Sequence, residues 1–270
     1  MLSSYITLLI VCGLLCACGF YKYVYFISIG YGLAIAGGAV AIFVLYLLSP
    51  TEAPMLILLM QLVLFMAYGL RLAGFLLHRE LKSKSYRESE IAKQTLVDKS
   101  SQRKPFLRAL FIWIAVTLLY VAQVSPMLFR SLNGSTDIVV PIVGGIICLA
   151  GILLESIADK QKGIQKQKRP NMVACEGVYK FVRLPNYFGE IVFWVGVFVG
   201  GISTYNSAFQ WIVAIVALVS IIYVMIGSAK RVDARQLKNY SNNEEYVAYS
   251  SKTPLLFPFV PIYHFASKEK

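Results

Sequence analysis

Histidine and paired cysteine, which build most metal centres and disulfide frameworks, are scarce in this sequence. The 270 residues include two histidines, His78 and His264, and neither has a second candidate ligand nearby in the sequence. The five cysteines show neither paired nor metal-ligand spacing, and four lie in apolar runs, where cysteine behaves as a small hydrophobic residue. They are Cys12, Cys16, Cys18, Cys148 and Cys175. We therefore expect neither a metal site nor a disulfide framework.

A segment with the composition of a soluble domain is also missing. Hydrophobic residues make up 57% of the chain, the mean hydropathy is +0.64, and the apolar residues gather in long runs. The net charge is +12, and 22 of the 26 basic residues fall in the segments 78–105, 159–185 and 228–270, which contain 8, 7 and 7 of them. Such blocks are typical of cytoplasmic loops and tails. With no soluble domain to carry the charge, the sequence argues against a nucleic-acid partner.

The long apolar runs predict an all-α integral membrane protein of about seven transmembrane helices, formed as a single membrane domain over residues 1–270. The first run lacks the basic start of a signal peptide, so we interpret it as a retained helix. A short polar turn is predicted at 126–137, where Asn133-Gly134-Ser135 fits a glycosylation sequon. Seven crossings place all three basic blocks on one face, with the N-terminus outside and the C-terminus cytoplasmic. The candidate spans lie near 4–21, 24–48, 54–77, 107–125, 138–158, 186–204 and 208–227.

Two familiar patterns are absent. The sequence has no internal repeat and no span broken at mid-membrane by Gly or Pro, both of which are expected of many transporters. It also has no Rossmann fingerprint, because Gly30-Tyr31-Gly32 lies in an apolar helix with no preceding strand. We interpret those glycines as small residues for helix packing.

Four ionisable residues in or beside the predicted spans require an explanation, because a charge within a span is costly and usually faces a bundle interior or a wet cavity. Glu155 precedes Asp159 by four residues, so both carboxylates lie on one helix face. The other two are Arg71 and Glu190, and snorkelling near a helix end is the alternative for these two and for Asp159. Together with the basic loops, the four residues predict a polar cavity that opens to the cytoplasmic face and suits a large anionic ligand.

A long motif occupies two neighbouring stretches, L-E-S-I-A-D-K-Q-K at 154–162 and G-V-Y-K-F-V-R-L-P-N-Y-F-G-E at 177–190. Further matches lie upstream and in the tail, at Gly69-Leu70-Arg71-Leu72, Arg79, Tyr86-Arg87, Glu245-Tyr246-Val247-Ala248-Tyr249, Thr253 and Pro258. This pattern resembles the steroid 5-alpha-reductase C-terminal family, DUF1295. The resemblance spans roughly residues 65–260 and leaves 1–64 as N-terminal helices.

The resemblance implies a membrane reductase that binds NADPH from the cytoplasmic side and transfers hydride to an enone-type C=C of a lipidic substrate, steroid-like or isoprenoid. It implies that Tyr68, three residues before Arg71, polarises the substrate carbonyl. Glu52, in Glu52-Ala53-Pro54, is a weaker candidate for the acid that orients this tyrosine, because it lies closer to Tyr68 in the sequence than the family pattern expects. The cofactor-binding residues implied by the resemblance are Arg71, Arg79, Tyr86, Arg87, Glu155, Asp159, Lys162, Lys166, Asn186, Tyr187, Glu190 and Tyr246.

Other interpretations stay open at this point. Leu184 stands where the family has histidine, so any role of that histidine is absent. The alternative function is an S-adenosylmethionine-dependent methyltransferase of the isoprenylcysteine carboxyl methyltransferase type, which has a related C-terminal half; the Glu155–Asp159 and Asn186–Glu190 pairs favour the reductase. A third is a non-catalytic membrane protein that kept the scaffold. Short loops and no targeting extension favour the bacterial plasma membrane over the endoplasmic reticulum. Membrane lipids are the other expected partners, and the oligomeric state is open.

Overall fold

The structure, a computed structural model, describes residues 2–82 and 105–265, and every regular element in these ranges is helical. Seven of these helices, α1 to α7, are long and apolar enough to cross a membrane. The predicted all-α, multi-pass membrane architecture is therefore confirmed, while the orientation of the termini stays a prediction. The helices are α1 (Leu2–Cys16), α2 (Ile29–Leu48), α3 (Met55–Lys82), α4 (Pro105–Asn133), α5 (Val139–Lys168), α6 (Pro185–Gly201), α7 (Ala208–Tyr240) and α8 (Glu244–Ser250).

The chain divides into two compact units, each with its own buried side chains. The first unit comprises the described parts of Met1–Gly145 together with Phe198–Ala217, and the second comprises Ile146–Val197 together with the described part of Leu218–Lys270. Phe129 and Tyr205 pack together in the first unit. Small clusters around Tyr179 and around Tyr246 form part of the core of the second unit. The single membrane domain suggested by the sequence stays a prediction.

Glycines bring helix backbones into close contact within each unit. In the first unit, a methyl group on Gly69 of α3 would lie 2.3 Å from the carbonyl oxygen of Gly32 on α2. In the second unit, a methyl group on Gly151 of α5 would lie 2.6 Å from the backbone nitrogen of Phe193 on α6. These separations leave no room for any side chain, which is the arrangement that small residues permit between membrane helices. The two crossings also position the polar side chains of both candidate sites.

The predicted turn at 126–137 is wrong over residues 126–133, because α4 continues to Asn133 with Pro126 inside it. A helix that ended inside the membrane would expose unpaired backbone groups to lipid. A span can therefore continue through a proline, provided that neighbouring groups hydrogen-bond the backbone group that the proline leaves unpaired. The helix end is held by Arg130, which is fully buried. Its guanidinium donates to the carbonyl oxygens of Asp137 at 2.8 Å and Gly200 at 3.3 Å.

Two other predicted spans end too early. The fifth was predicted at 138–158, yet α5 continues to Lys168, and the seventh was predicted at 208–227, yet α7 continues to Tyr240. Hydropathy measures only the apolar part of a helix, whereas the backbone remains helical where charged residues extend it beyond the apolar run. The basic residues predicted in loops therefore lie partly on helices.

The side chains of Asn133 and Ser135, in the predicted glycosylation sequon, are hydrogen-bonded within the protein. The amide nitrogen of Asn133, the atom that glycosylation would modify, donates to the carbonyl oxygen of Thr204 at 2.7 Å and to Oε1 of Gln210 at 2.9 Å. Ser135, the third residue of the sequon, donates to the hydroxyl of Thr204 at 2.9 Å. Within the first unit, these hydrogen bonds therefore connect the end of α4 to Thr204 and to the first turn of α7.

Candidate functional site

Glu155 and Glu190 are buried carboxylates on the two helices that cross at Gly151 and Gly189. Glu155 is 3% exposed and Glu190 is 7% exposed. A methyl group on Gly189 would lie 2.8 Å from Cγ of Glu155, so the Glu155 side chain packs directly against the first turns of α6. Buried carboxylates require charged or hydrogen-bonding partners, which makes this crossing the first candidate for a polar site in the second unit.

Asp159 lies one turn further along α5 and is half-buried among tyrosines. Burial raises the pKa of the Tyr179 phenol, and the nearby carboxylate of Asp159 raises it further. The hydroxyl of Tyr179 donates to the carbonyl oxygen of Ala158 at 3.2 Å, and that of Tyr249 donates to the carbonyl oxygen of Tyr179 at 2.7 Å. The structure therefore brings Asp159 and Tyr187, both predicted site residues, into one cluster.

The segment before α6 is held against α5 by two glutamines. Oε1 of Gln161 accepts from the backbone N–H of Val178 at 2.9 Å, and Oε1 of Gln165 accepts from the N–H of Cys175 at 2.9 Å. The helix α6 then begins at Pro185, a residue suited to the first helical position because it has no N–H to satisfy. Asn186 follows in the first turn and is half-buried. The motif residues therefore fix where α6 starts relative to α5.

The two lysines predicted to bind the cofactor differ in their surroundings. Lys162 is exposed on α5. Nζ of Lys166 donates to the hydroxyl of Tyr240 at 3.0 Å and to the carbonyl oxygen of Pro170 at 3.1 Å, and it lies 5.3 Å from the Tyr240 ring centroid. Lys166 thus ties α5 to the end of α7, and a ligand would compete with these contacts.

Sequence reasoning missed a buried ion pair behind this site. A guanidinium nitrogen of Arg183 lies 3.1 Å from a carboxylate oxygen of Asp233, and both side chains are fully buried. Arg183 also donates to Oε1 of Gln236 and to the carbonyl oxygen of Tyr263. Nδ1 of His264 lies 3.0 Å from the same Asp233 oxygen. One signal was present in the sequence, since Asp233 is the only acidic residue between Glu190 and Glu244.

Tyr246, predicted to bind the cofactor, belongs to this buried network. Its side chain is fully buried, and its hydroxyl accepts from Arg183 at 3.0 Å. Burial raises the pKa of the Tyr246 phenol. The guanidinium of Arg183 also lies 5.6 Å from the Tyr246 ring centroid. The structure therefore gives Tyr246 a contact with Arg183, and its predicted contact with the cofactor stays a prediction.

In the first unit, Tyr68 is fully buried and pairs with Tyr31. Their hydroxyl oxygens lie 2.9 Å apart, and either can donate. The ring of Tyr31 stacks on that of Tyr120, with centroids 5.1 Å apart, and the Tyr120 hydroxyl donates to the carbonyl oxygen of Phe26. The contact between Gly32 and Gly69 sets this register, because Tyr31 and Tyr68 each precede one of those glycines. Sequence reasoning named Tyr68 and missed Tyr31.

The remaining predicted residues do not join this pair. Glu52 is exposed in the connection before α3, and Tyr68 lies about 20 Å further along that helix at 1.5 Å per residue. The predicted orienting acid is therefore far from the tyrosine, and Tyr31 occupies that place. Arg71 is half-buried one turn beyond Tyr68. The side chain of Arg79 and both Tyr86 and Arg87 lie outside the described residues.

Residues 30–253 match a family model described as "Protein of unknown function (DUF1295)". No curated protein and no solved structure matches the chain. The match includes Tyr31, Tyr68, Asp159, Arg183 and Asp233, and it extends over far more than half of the sequence. The chain therefore belongs to the DUF1295 family, as its motifs predicted.

Proposed function

We propose that this protein is an NADPH-dependent membrane reductase that adds hydride to an enone-type C=C of a lipidic, steroid-like or isoprenoid substrate. The observation that carries the proposal is the burial of Glu155 against Gly189, which sets acidic side chains of α5 beside the start of α6. Membership of the DUF1295 family supports it through the relationship of that family to the steroid 5-alpha-reductases.

The donor set in the second unit fits a dinucleotide by its chemistry. Carboxylates such as Glu155 and Asp159 accept hydrogen bonds from hydroxyl and amide groups, and the amide of Asn186 can both donate and accept. Lys162, at the charged end of α5, suits phosphate oxygens. When bound, NADPH would supply the hydride. The residues of this chain would bind and orient it, and the buried pair Arg183–Asp233 would keep the start of α6 in place.

In the proposed reaction, Tyr68 would donate a hydrogen bond to the substrate carbonyl oxygen, on which negative charge develops as the C=C is reduced. Tyr31 would donate to the Tyr68 hydroxyl and orient it. A neutral hydroxyl partner suits an apolar span better than an acid, because a buried carboxylate requires a charged or multiply hydrogen-bonded environment. We therefore propose Tyr31 in the orienting role first assigned to Glu52.

A ligand-induced shift in thermal stability tests the cofactor. The purified protein in detergent would be melted with NADPH, NADH or S-adenosylmethionine, and ligand at about 100 times its Kd stabilises by about 2.7 kcal/mol. We expect the largest shift with NADPH. A shift with S-adenosylmethionine alone would favour the methyltransferase, and no shift with any ligand would favour a non-catalytic scaffold.

Two variants refine this test. Asp159→Asn is expected to abolish the NADPH shift, whereas Glu244→Gln, which changes an exposed acid at the start of α8, should retain it.

Tyr68→Phe should retain the NADPH shift but lower the rate of NADPH oxidation with a 4-ene-3-ketosteroid or an unsaturated isoprenoid ketone by about 100- to 1000-fold. Tyr223→Phe, on an exposed face of α7, is the matched control. An unchanged rate in Tyr68→Phe would remove that residue from the mechanism.

A further inference from the structure

The segment after α8 forms a closed loop with an apolar tip. The backbone N–H of Leu255 donates to the carbonyl oxygen of Ile262 at 2.8 Å, and the N–H of Val260 donates to the carbonyl oxygen of Phe257 at 3.1 Å. Leu255 and Leu256 are buried at the base of this loop. Phe259, at its tip, is 96% exposed. The loop is therefore an ordered structure that presents an aromatic side chain outward.

The loop is fixed beside the start of a membrane span. The N–H groups of Arg183 and Leu184 donate to the carbonyl oxygens of Pro254 and Leu255, at 2.8 and 3.0 Å. The candidate span Pro185–Thr204 begins at the next residue. Further along the loop, the Phe257 ring lies 6.3 Å from the ring of Phe188, in the first turn of that span. These contacts place the loop at the depth where α6 enters the bilayer.

The exposed residues of the loop match this depth. Phe259, Val260, Pro261 and Ile262 are consecutive, apolar and exposed. Contiguous apolar surface of this kind marks a site of interaction with a membrane or a partner when it is exposed. Two exposed lysines lie near the base of the loop in sequence or through its backbone contacts: Lys252 is three residues before Leu255, and Lys180 is three residues before Arg183. Apolar side chains flanked by basic ones are the pattern of segments that insert into the interface of an anionic leaflet.

We infer that residues 255–262 form an interfacial anchor, in which Phe259 and its neighbours insert among the acyl chains of the leaflet where α6 begins. The partner is phospholipid, and the flanking lysines meet its anionic headgroups. The region matched by the family model ends at residue 253, so the anchor lies beyond it. The inference depends on the contacts of α6 and the loop, and it is independent of the proposed reductase activity.

Tryptophan fluorescence of the full-length protein in nanodiscs with phosphatidylglycerol tests this anchor. Phe259→Trp and Val260→Trp would be compared with Ser251→Trp, at an exposed site outside the loop, and each spectrum would be corrected for the wild type. We expect the two loop tryptophans to be quenched by lipids brominated near the top of the acyl chain and shielded from acrylamide. The Ser251→Trp signal should show the opposite response.

Two results would overturn the inference. If the loop tryptophans are as accessible to acrylamide as Ser251→Trp, the loop lies in water. If they are shielded from both acrylamide and brominated lipid, protein covers the loop, as a second copy of the chain would. Because the Phe259 side chain is almost fully exposed, the larger tryptophan has room at that site without disturbing the buried base.

Discussion

The guanidinium of Arg183 and the carboxylate of Asp233 lie 3.1 Å apart with no exposure of either side chain, so the start of α6 and the charged end of α7 share one buried ion pair. Arg183 lies within the family motif at 177–190, directly before Leu184. Its guanidinium also donates to Gln236, to the Tyr246 hydroxyl and to the carbonyl oxygen of Tyr263. This pair therefore connects the family motif to the tail of the chain.

Removal of one partner of this pair should be strongly destabilising. Asp233→Asn leaves the Arg183 charge buried without its counter-charge, and we expect a loss of about 3–5 kcal/mol in the free energy of unfolding. Unfolding in mixed micelles with increasing denaturing detergent measures the change. Glu245→Gln, which removes the exposed ion pair between Arg169 and Glu245, is the control and should have a much smaller effect. Equal losses in both variants would contradict the assignment.

A methyl group at Gly189 should separate α5 from α6. Gly189→Ala would bring Cβ to 2.8 Å from Cγ of Glu155 and 3.0 Å from its backbone nitrogen. We expect a loss of about 1–3 kcal/mol from overpacking, together with a weaker NADPH-induced thermal shift. At Gly163 on α5, an added methyl group would meet no other part of the described chain within 4 Å, so Gly163→Ala should instead be neutral or stabilising. A stable Gly189→Ala variant with an unchanged shift would mean that this crossing does not shape the site.

The carboxylate of Asp137 should make stability depend on pH at the start of α5. A hydrogen bond from Ser203 holds the pKa of Asp137 below its usual value, and the N–H groups of Val139 and Val140 also donate to it. The pKa of Asp137 is lower in the folded protein than in the unfolded chain. The stability that its carboxylate contributes is therefore present above the usual pKa of about 4 and is lost as the pH falls through the folded pKa.

Asp137→Ala tests this linkage. We expect it to lower stability by about 1 kcal/mol at neutral pH, as for other helix caps, with the difference from wild type shrinking below pH 4. Asp137→Asn retains a capping oxygen without the charge and should lose less at neutral pH. Melting temperatures measured against pH would show both effects, and a difference that is constant down to strongly acidic pH would contradict the role of the carboxylate.

Substitution by leucine should have opposite effects on stability at two buried glutamines of the first unit. Gln123 is 1% exposed, and within residues 2–82 and 105–265 neither of its amide atoms has a hydrogen-bond partner. Gln210 exchanges hydrogen bonds with Asn133 and accepts from the N–H of Asn206. We expect Gln123→Leu to be neutral or stabilising and Gln210→Leu to cost about 1–3 kcal/mol, because it leaves buried partners unsatisfied. A destabilised Gln123→Leu variant would show that the amide has a partner such as water or a ligand.

The sequence specified the helices well where the signal is local. Long apolar runs placed seven spans, and the motif around Asp159 and Glu190 placed the chain in its family. The prediction of a turn at Pro126 failed, because proline usually ends a helix in water but is retained inside a span. The charged ends of α5 and α7 were missed as helix because hydropathy falls there while the backbone remains hydrogen-bonded.

The sequence by itself determined that this is a multi-pass membrane protein of the DUF1295 family, since apolar run length and a contiguous motif are local properties. Only the tertiary structure decided that Tyr68 pairs with Tyr31 and not with Glu52, and that Arg183 pairs with Asp233. These pairings depend on the register at which glycine-bearing helices cross. That register is set by packing between residues far apart in the chain, which neither composition nor spacing encodes directly.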